Sequence, residues 1–317
     1  MTKGSPVKEF FMNFQPVDNC PGCDGDAKEL WGQLATDDYK FGSLTIPYKK
    51  TIGPITVYKC SACGLYFKNR VPTQESLVEL FKSSFNEVWD YQYNYAREID
   101  LVKKLYPEYP PDILDVGAGN GDFLACLNSG DRRLSALDVI RSSKCQETVT
   151  GEYIYGFLDH DYLHWSESPY DLVTVFDVME HLYSVKQGFK NLRNLTRIGG
   201  YCLIETGDAD SRFPRLYGIN NWWYINLLEH HVAFGLDTLL QISSLYGFEV
   251  YQMRRKRHKY KQNLYLGEIL KCGIKSMVFQ IHRGFYEFLM QKLSKSKMQP
   301  CPIVSPDHLL LVLRRVR

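Results

Sequence analysis

The chain lacks any run of about 18 consecutive apolar residues, the length a membrane-crossing helix needs. Its first residues, Met1 to Gln15, mix polar and aromatic side chains and have no basic stretch leading into an apolar one, so no secretory leader is expected. An excess of one charge is also missing. Over 317 residues the formal net charge is +2, and global electrostatics alone recruit neither nucleic acid nor an anionic surface. There is no internal repeat and no low-complexity tract. A disulfide framework is absent too: of nine cysteines, Cys126, Cys145, Cys202, Cys272 and Cys301 are scattered singly, and the total is odd. Reduced thiols and a cytoplasmic location are the expectation.

Hydrophobic residues are plentiful, at 44%, so the chain can bury a core and global disorder is excluded. Residues 17 to 70 are rich in Cys, Gly, Pro and Tyr, with short β-like runs such as Ile55 to Tyr58, and read as a small loop-rich module. After Pro72 the pattern turns helical through Leu77, Leu80 and Phe81, and a second helix is expected from Asp90 to Leu105, before Pro107. From Asp112 short apolar runs alternate with helical ones. Strands are expected at Ile113–Val116, Leu134–Leu137, Tyr153–Phe157, Leu172–Phe176, Tyr201–Glu205, Phe248–Tyr251 and His308–Leu313, with helices at Phe123–Leu127, Lys186–Thr196 and Thr238–Tyr246. Such alternation builds βαβ units and a mostly parallel sheet. The division expected is a module over 1–81 and an α/β domain over 82–317, with a helical insertion at about 262–297. An apolar stripe from Leu266 through Leu289 marks that insertion; it packs on the sheet or, through a helix over 264–294, on a second copy in a homodimer, with a membrane-surface helix as the alternative.

Asp115-Val116-Gly117-Ala118-Gly119-Asn120-Gly121 follows a strand and opens a helix, the setting of a nucleoside site at the carboxyl edge of a sheet. Asp138 ends the next strand, 17 residues beyond Gly121, where its carboxylate can accept hydrogen bonds from both ribose hydroxyls. Dinucleotide loops read G-x-G-x-x-G. Here Asp122 stands at the place of the third glycine, and an Asp-rich loop suits the cationic methionine part of S-adenosylmethionine better than a pyrophosphate.

Cys20-Pro-Gly-Cys23 and Cys60-Ser-Ala-Cys63 are two C-x2-C knuckles separated by 36 residues. Four thiolates from two such turns can surround a tetrahedral zinc at about 2.3 Å and leave no open position, so the zinc would be structural. Two disulfides or a redox pair are the alternatives; a reducing compartment disfavours the first and the duplication the second. Further on, Glu229, His230 and His231 sit among aromatic residues in a segment after the fifth strand. A histidine near neutral pKa can take a proton during group transfer, and an adjacent carboxylate can orient it. Loop-stabilising hydrogen bonds are the other use for this set, and packing is the expectation for His181.

Taken in order, Ile113 to Gly121, Asp138, Tyr170 to Leu182 and Ile198 to Glu205 resemble the successive motifs of class I S-adenosylmethionine-dependent methyltransferases, over most of residues 90 to 317. The resemblance implies a Rossmann-like seven-stranded sheet with its last strand reversed. It implies that Gly117, Ala118, Gly119 and Gly121 line the cofactor with Asp115, that Asp138 and Val139 hold the ribose side, and that Phe157, Leu158 or Asp159 borders the adenine, with Asp161 competing for that role. Asp177 and Val178 would meet the methionine end. The four cysteines together with Glu229-His230 and the following Phe234 and Leu236 resemble zinc-containing sugar C-methyltransferases, in which such a Glu-His pair serves deprotonation. Gly235 stands here where that family has Ser, and Leu227 and Leu228 where it has Tyr and His.

The expected activity is methyl transfer to a small-molecule acceptor, a nucleotide-linked sugar or polysaccharide precursor, with His230 or His231 as base and Glu229 as its orienter. The alternative is RNA methylation, in which the zinc module and the basic run Arg254 to Lys261 grip phosphates. Nucleic acid is the less expected partner, because few basic residues (Lys49, Lys50, Lys59 and Lys68) surround the knuckles.

Overall fold

The computed structural model describes residues 8–34, 38–47, 52–88, 94–108, 110–128, 130–161, 168–217, 222–256 and 306–317. A seven-stranded mixed sheet organises the chain. Its spatial order is Tyr153–Tyr155, Arg133–Asp138, Asp112–Val116, Tyr170–Phe176, Thr196–Gly207, His308–Arg315 and Phe248–Lys256. The first five pair in parallel. His308–Arg315 runs antiparallel to both of its neighbours, so the reversed last strand is inserted beside the fifth. Strands covered on both faces need no polar alternation. Tyr170–Phe176 accordingly reads as an unbroken buried run.

Several elements differ from expectation. The third strand stops at Tyr155, two residues early, with a last ladder bond from the Gly156 amide to the Asp138 carbonyl. Short helices at Ser143–Thr148 and Trp223–Asn226 and a 3-10 turn at Met179–His181 carry too few residues for a periodic signal. The helix expected from Asp90 is described from Ala96 to Leu105. The insertion at about 262–297, the dimer helix over 264–294 and the basic residues 257–261 lie outside the described residues. No described helix is long and apolar enough to cross a membrane.

The N-terminal part builds small sheets of its own. Lys28–Gln33, Thr56–Cys60 and Tyr66–Lys68 form an antiparallel meander, and its free edge takes a fourth strand, Val232–Ala233, from far along the chain. The helix Gln74–Val88 runs unbroken across residue 81, where the module was expected to end. Cys20, Cys60, Leu65 and Phe67 share one buried apolar cluster with Val173, Val185 and Phe189 of the α/β part. Module and sheet therefore bury their apolar faces against each other.

Candidate active site

The order of the strands reverses on either side of Asp112–Val116, and such a switch point opens a crevice at the carboxyl edge. A cavity lies there, walled by the glycine loop, by Asp138 to Ile140, Gly156 to Leu158, Phe176 to Val178, His181 and Leu182, and by Phe81, Phe85 and Tyr95 from the N-terminal side. The glycines have different reasons. A Cβ on Gly117, at φ +72°, would lie 2.3 Å from Val178 Cγ2, so the loop passes Val178 only as glycine. A Cβ on Gly119, at φ +54°, would meet nothing within 4 Å and would project into open space. That clearance lets a ligand approach the backbone.

Asp138 is buried on the wall. One carboxylate oxygen accepts from the Gly119 amide at 2.8 Å and the other from the Ile140 amide at 2.8 Å. A carboxylate offers about four lone-pair sites, so roughly two remain for a ligand's hydroxyls. Burial raises the Asp138 pKa, and the backbone amides work against that. The lining carries Asp122, Asp138 and Asp177 and, among the described residues, no lysine or arginine. Asp122 is paired with exposed Lys144, at 2.6 Å. Asp177 holds φ +55° at the end of its strand, an uncommon conformation for a residue other than glycine.

Of the sequence-derived cofactor set, Gly117, Ala118, Gly119, Asp138, Val139, Leu158, Asp177 and Val178 come together on this wall. Gly121 caps the helix Asp122–Leu127 in a left-handed conformation behind the loop. Asp115 is buried, accepting the Thr174 hydroxyl at 2.6 Å, and is not on the lining. Asp159 is not on it either: its Oδ2 accepts from the amides of Tyr183 and Ser184 at 2.6 and 2.7 Å. Asp161 is exposed.

The segment Leu227 to His231 is folded into the wall behind His181. His181 lines the cavity, and its Nδ1 donates to the Glu229 carbonyl at 2.7 Å. The His230 ring stands edge-on to His181, with centroids 4.8 Å apart, and its Nε2 is 3.9 Å from Glu180 Oε1. Neither His230 nor His231 is on the lining. Glu180 is fully buried and takes the Thr206 hydroxyl on Oε2 at 3.0 Å. The Glu229 carboxylate points the other way, accepting from Tyr39 Oη at 2.9 Å. Lys68, wholly buried, donates to the Leu227 carbonyl at 2.6 Å. Its amide bonds the His231 carbonyl, and the His231 amide bonds the Glu180 carbonyl.

Burial dominates the titration of these groups. It pushes Glu180 up to about 8, aided by the Asp177 charge, and raises Glu229. It pulls His181 down and takes His230 and His231 well below the usual histidine range. It draws Lys68 down to about 7, an effect the Glu229 charge opposes. His308 is the exception. Burial lowers it, but the 3.0 Å contact of Nδ1 with Asp307 and the charges of Asp307, Asp177 and Glu205 together outweigh this and raise it. Its Nε2 is 3.9 Å from Asp177. Sequence reasoning missed Glu180, Lys68, Tyr39 and the Asp307–His308 pair; the Met-Glu-His run after the fourth strand was the available signal for the first.

Cys20, Cys23, Cys60 and Cys63 converge, with all four sulfurs within 4.8 Å of one another. The closest contacts, Cys20 to Cys63 at 3.5 Å and Cys23 to Cys60 at 3.6 Å, run between knuckles rather than within them. Thiolates on a tetrahedral zinc sit about 3.8 Å apart, against about 2.05 Å in a disulfide. The two knuckles repeat one hydrogen-bond pattern: Asp24 and Gly64 amides bond the Cys20 and Cys60 carbonyls, and the Cys20 and Cys60 amides bond the Gly25 and Leu65 carbonyls. Of the basic residues considered as phosphate grips, Lys68 is buried, Arg255 is paired with Asp208 at 2.8 Å, and Lys256 with Glu98 and Glu205 at 2.6 and 2.5 Å.

A family model described as a methyltransferase domain matches residues 89–253. Among solved structures, a Burkholderia thailandensis 1,6-didemethyltoxoflavin-N1-methyltransferase, bound to 1,6-didemethyltoxoflavin and S-adenosylhomocysteine, superposes with TM-score 0.50 at 13% identity, over 83% of this chain and 96% of that one. The [4+2]-cyclase SpnF superposes with TM-score 0.50 at 10% identity, over 77% and 97%. At such identity both show the fold alone. No curated protein matches the chain.

Proposed function

The chain belongs to the methyltransferase-domain family and is an enzyme of that class, and we propose that it transfers the methyl group of S-adenosylmethionine to a small hydroxylated or carbonyl-bearing acceptor, a nucleotide-linked sugar or related polysaccharide precursor. One observation carries this reading: three carboxylates and no lysine or arginine among the described residues of the cavity wall. A pyrophosphate would be repelled there by about 1 kcal/mol per charge pair at 4 Å in water, and by more in a shielded site. A sulfonium would be attracted by as much. S-adenosylmethionine supplies an electrophilic methyl on sulfur, released as the C–S bond breaks towards sulfur.

The chain's own residues hold and orient. Asp138, with its spare lone pairs, binds the ribose hydroxyls, and Gly119 leaves room for them. Phe157 and Leu158 border the base, and Asp177 and Val178 the methionine end. His230 and His231, the expected bases, are off the wall, and His181, expected to pack, is the histidine on it. The Glu229 carbonyl fixes its Nδ1–H, so Nε2 keeps its lone pair available at this face of the cavity. His230 and Glu180 stand behind it, and Glu229 orients through its main chain. Zinc at the four cysteines is structural: the strand that leaves Cys63 becomes Tyr66–Lys68, which pairs Val232–Ala233 and so anchors the Glu229 to His231 segment.

Calorimetry tests the cofactor assignment. Asp138→Ala should weaken S-adenosylmethionine binding by roughly 1.5–3 kcal/mol, the range for hydrogen bonds to a charged group, with the thermal unfolding of the apo protein preserved. Undiminished affinity would remove Asp138 from the site and the reading with it.

A further inference from the structure

We propose that Glu180, His181 and His230 form a second metal site, which takes a divalent cation against the cavity wall and presents it to an oxygen of the methyl acceptor. The inference rests on the methyl-transfer reading for its acceptor and deepens it by naming the acceptor atom. One donor atom from each side chain lies within 4.8 Å of the others. Three points so spaced share a centre within about 2.8 Å of each, and rotamer adjustments of well under 1 Å bring them to ligand bonds of about 2.1 Å. The 3.9 Å between His230 Nε2 and Glu180 Oε1 is too long for a hydrogen bond. It is close to the roughly 3.5 Å expected of two ligands on one cation at such bond lengths.

The individual groups point the same way. Glu180 is fully buried, and its Oε1 has no hydrogen-bond partner although Oε2 holds the Thr206 hydroxyl. A buried carboxylate oxygen without a donor is costly unless something cationic meets it. His181 gives its Nδ1–H to a backbone carbonyl, the arrangement that fixes a metal-binding imidazole with its other nitrogen towards the metal. Two imidazoles and one carboxylate suit divalent first-row cations, and three protein ligands leave positions open, unlike the closed set of four cysteines. The opening faces the cavity, because His181 lines it.

Such a cation selects an acceptor with adjacent oxygens, a vicinal diol or an α-hydroxycarbonyl, that can fill two positions. It acidifies the bound hydroxyl, whose proton passes to solvent. An oxygen lone pair then forms the bond to the methyl carbon while the carbon–sulfur bond breaks, its electron pair remaining on sulfur to give S-adenosylhomocysteine. Charge balances, since the sulfonium becomes a neutral thioether and the alkoxide a neutral ether.

Mn2+ is the probe, because hard donors favour it and thiolates do not. The full chain, carrying metal at its cysteines, is titrated with Mn2+ and read by electron paramagnetic resonance, with S-adenosylhomocysteine binding measured on the same samples. One Mn2+ per chain is expected, with nitrogen couplings from two imidazoles. Glu180→Gln and His230→Asn should each weaken Mn2+ binding at least tenfold while S-adenosylhomocysteine still binds. Wild-type protein that binds no Mn2+, or binds it without nitrogen coupling, overturns the site even if both variants fail to fold; so does unchanged Mn2+ affinity in folded variants. Imidazole-bound Mn2+ in a chain that does not bind S-adenosylhomocysteine would uphold the site and fail the methyl-transfer reading instead.

Discussion

Replacing Lys68 by methionine should make the protein more stable and less active. The amine is wholly buried, and its pKa falls from an ordinary 10.5 to about 7 because burial disfavours the ammonium. That difference corresponds to roughly 5 kcal/mol favouring the neutral amine. Below about pH 7 both folded and unfolded chains carry the charge, and the folded state bears the whole penalty. Above it the unfolded chain still holds the proton that the folded one has released, so wild-type stability rises by about 1.4 kcal/mol per pH unit until the penalty vanishes near 10.5. Lys68→Met removes the penalty and loses the bond to the Leu227 carbonyl, worth roughly 1–3 kcal/mol. The variant should exceed wild type by about 2–4 kcal/mol at pH 6, with the margin closing and reversing towards pH 10. Urea unfolding of both proteins at several pH values measures it. Turnover should fall, because the Leu227 carbonyl also receives the His230 amide at 3.2 Å and sets the turn that carries Glu229 to His181. A stability difference independent of pH, or a variant less stable than wild type at pH 6, would refute the reasoning.

Cys60→Ser should release the metal held by the cysteines and unfold the knuckles, since structural zinc contributes on the order of 10 kcal/mol to such modules. Metal analysis and thermal unfolding read this together, and a wild-type protein that is well folded without metal at the cysteines would contradict it. Gly119→Ala should fold, at a cost of about 1–2 kcal/mol for a left-handed alanine, yet lose cofactor affinity, because its Cβ enters the cavity rather than the core. Calorimetry on the folded variant decides the point, and wild-type affinity would place the ligand elsewhere.

Much of the site was legible locally. The glycine loop, Asp138 and the two C-x2-C knuckles are short patterns whose spacing carries the geometry, and the structure places the loop around a cavity and the four sulfurs in one cluster. The seven strands of the main sheet were likewise written as apolar runs between turns. Expectations weakened where function depends on distant partners. His230 and His231 stood out as a pair among aromatics, yet both are buried off the lining, and His181, expected only to pack, is the histidine on the wall.

The sequence alone marked out the glycine loop, the acid that follows it and the paired thiols, because each is a short local pattern. Only the tertiary structure decided the rest. Tyr39 meets Glu229 across 190 positions, Lys68 meets Leu227 across 159, and His181 meets Glu229 across 48. Such pairings are set by how the four-stranded sheet takes Val232–Ala233 onto its edge and how apolar faces bury one another. Neither leaves a periodic trace in the chain, and burial, which tunes these acids and bases, exists only once the packing is complete.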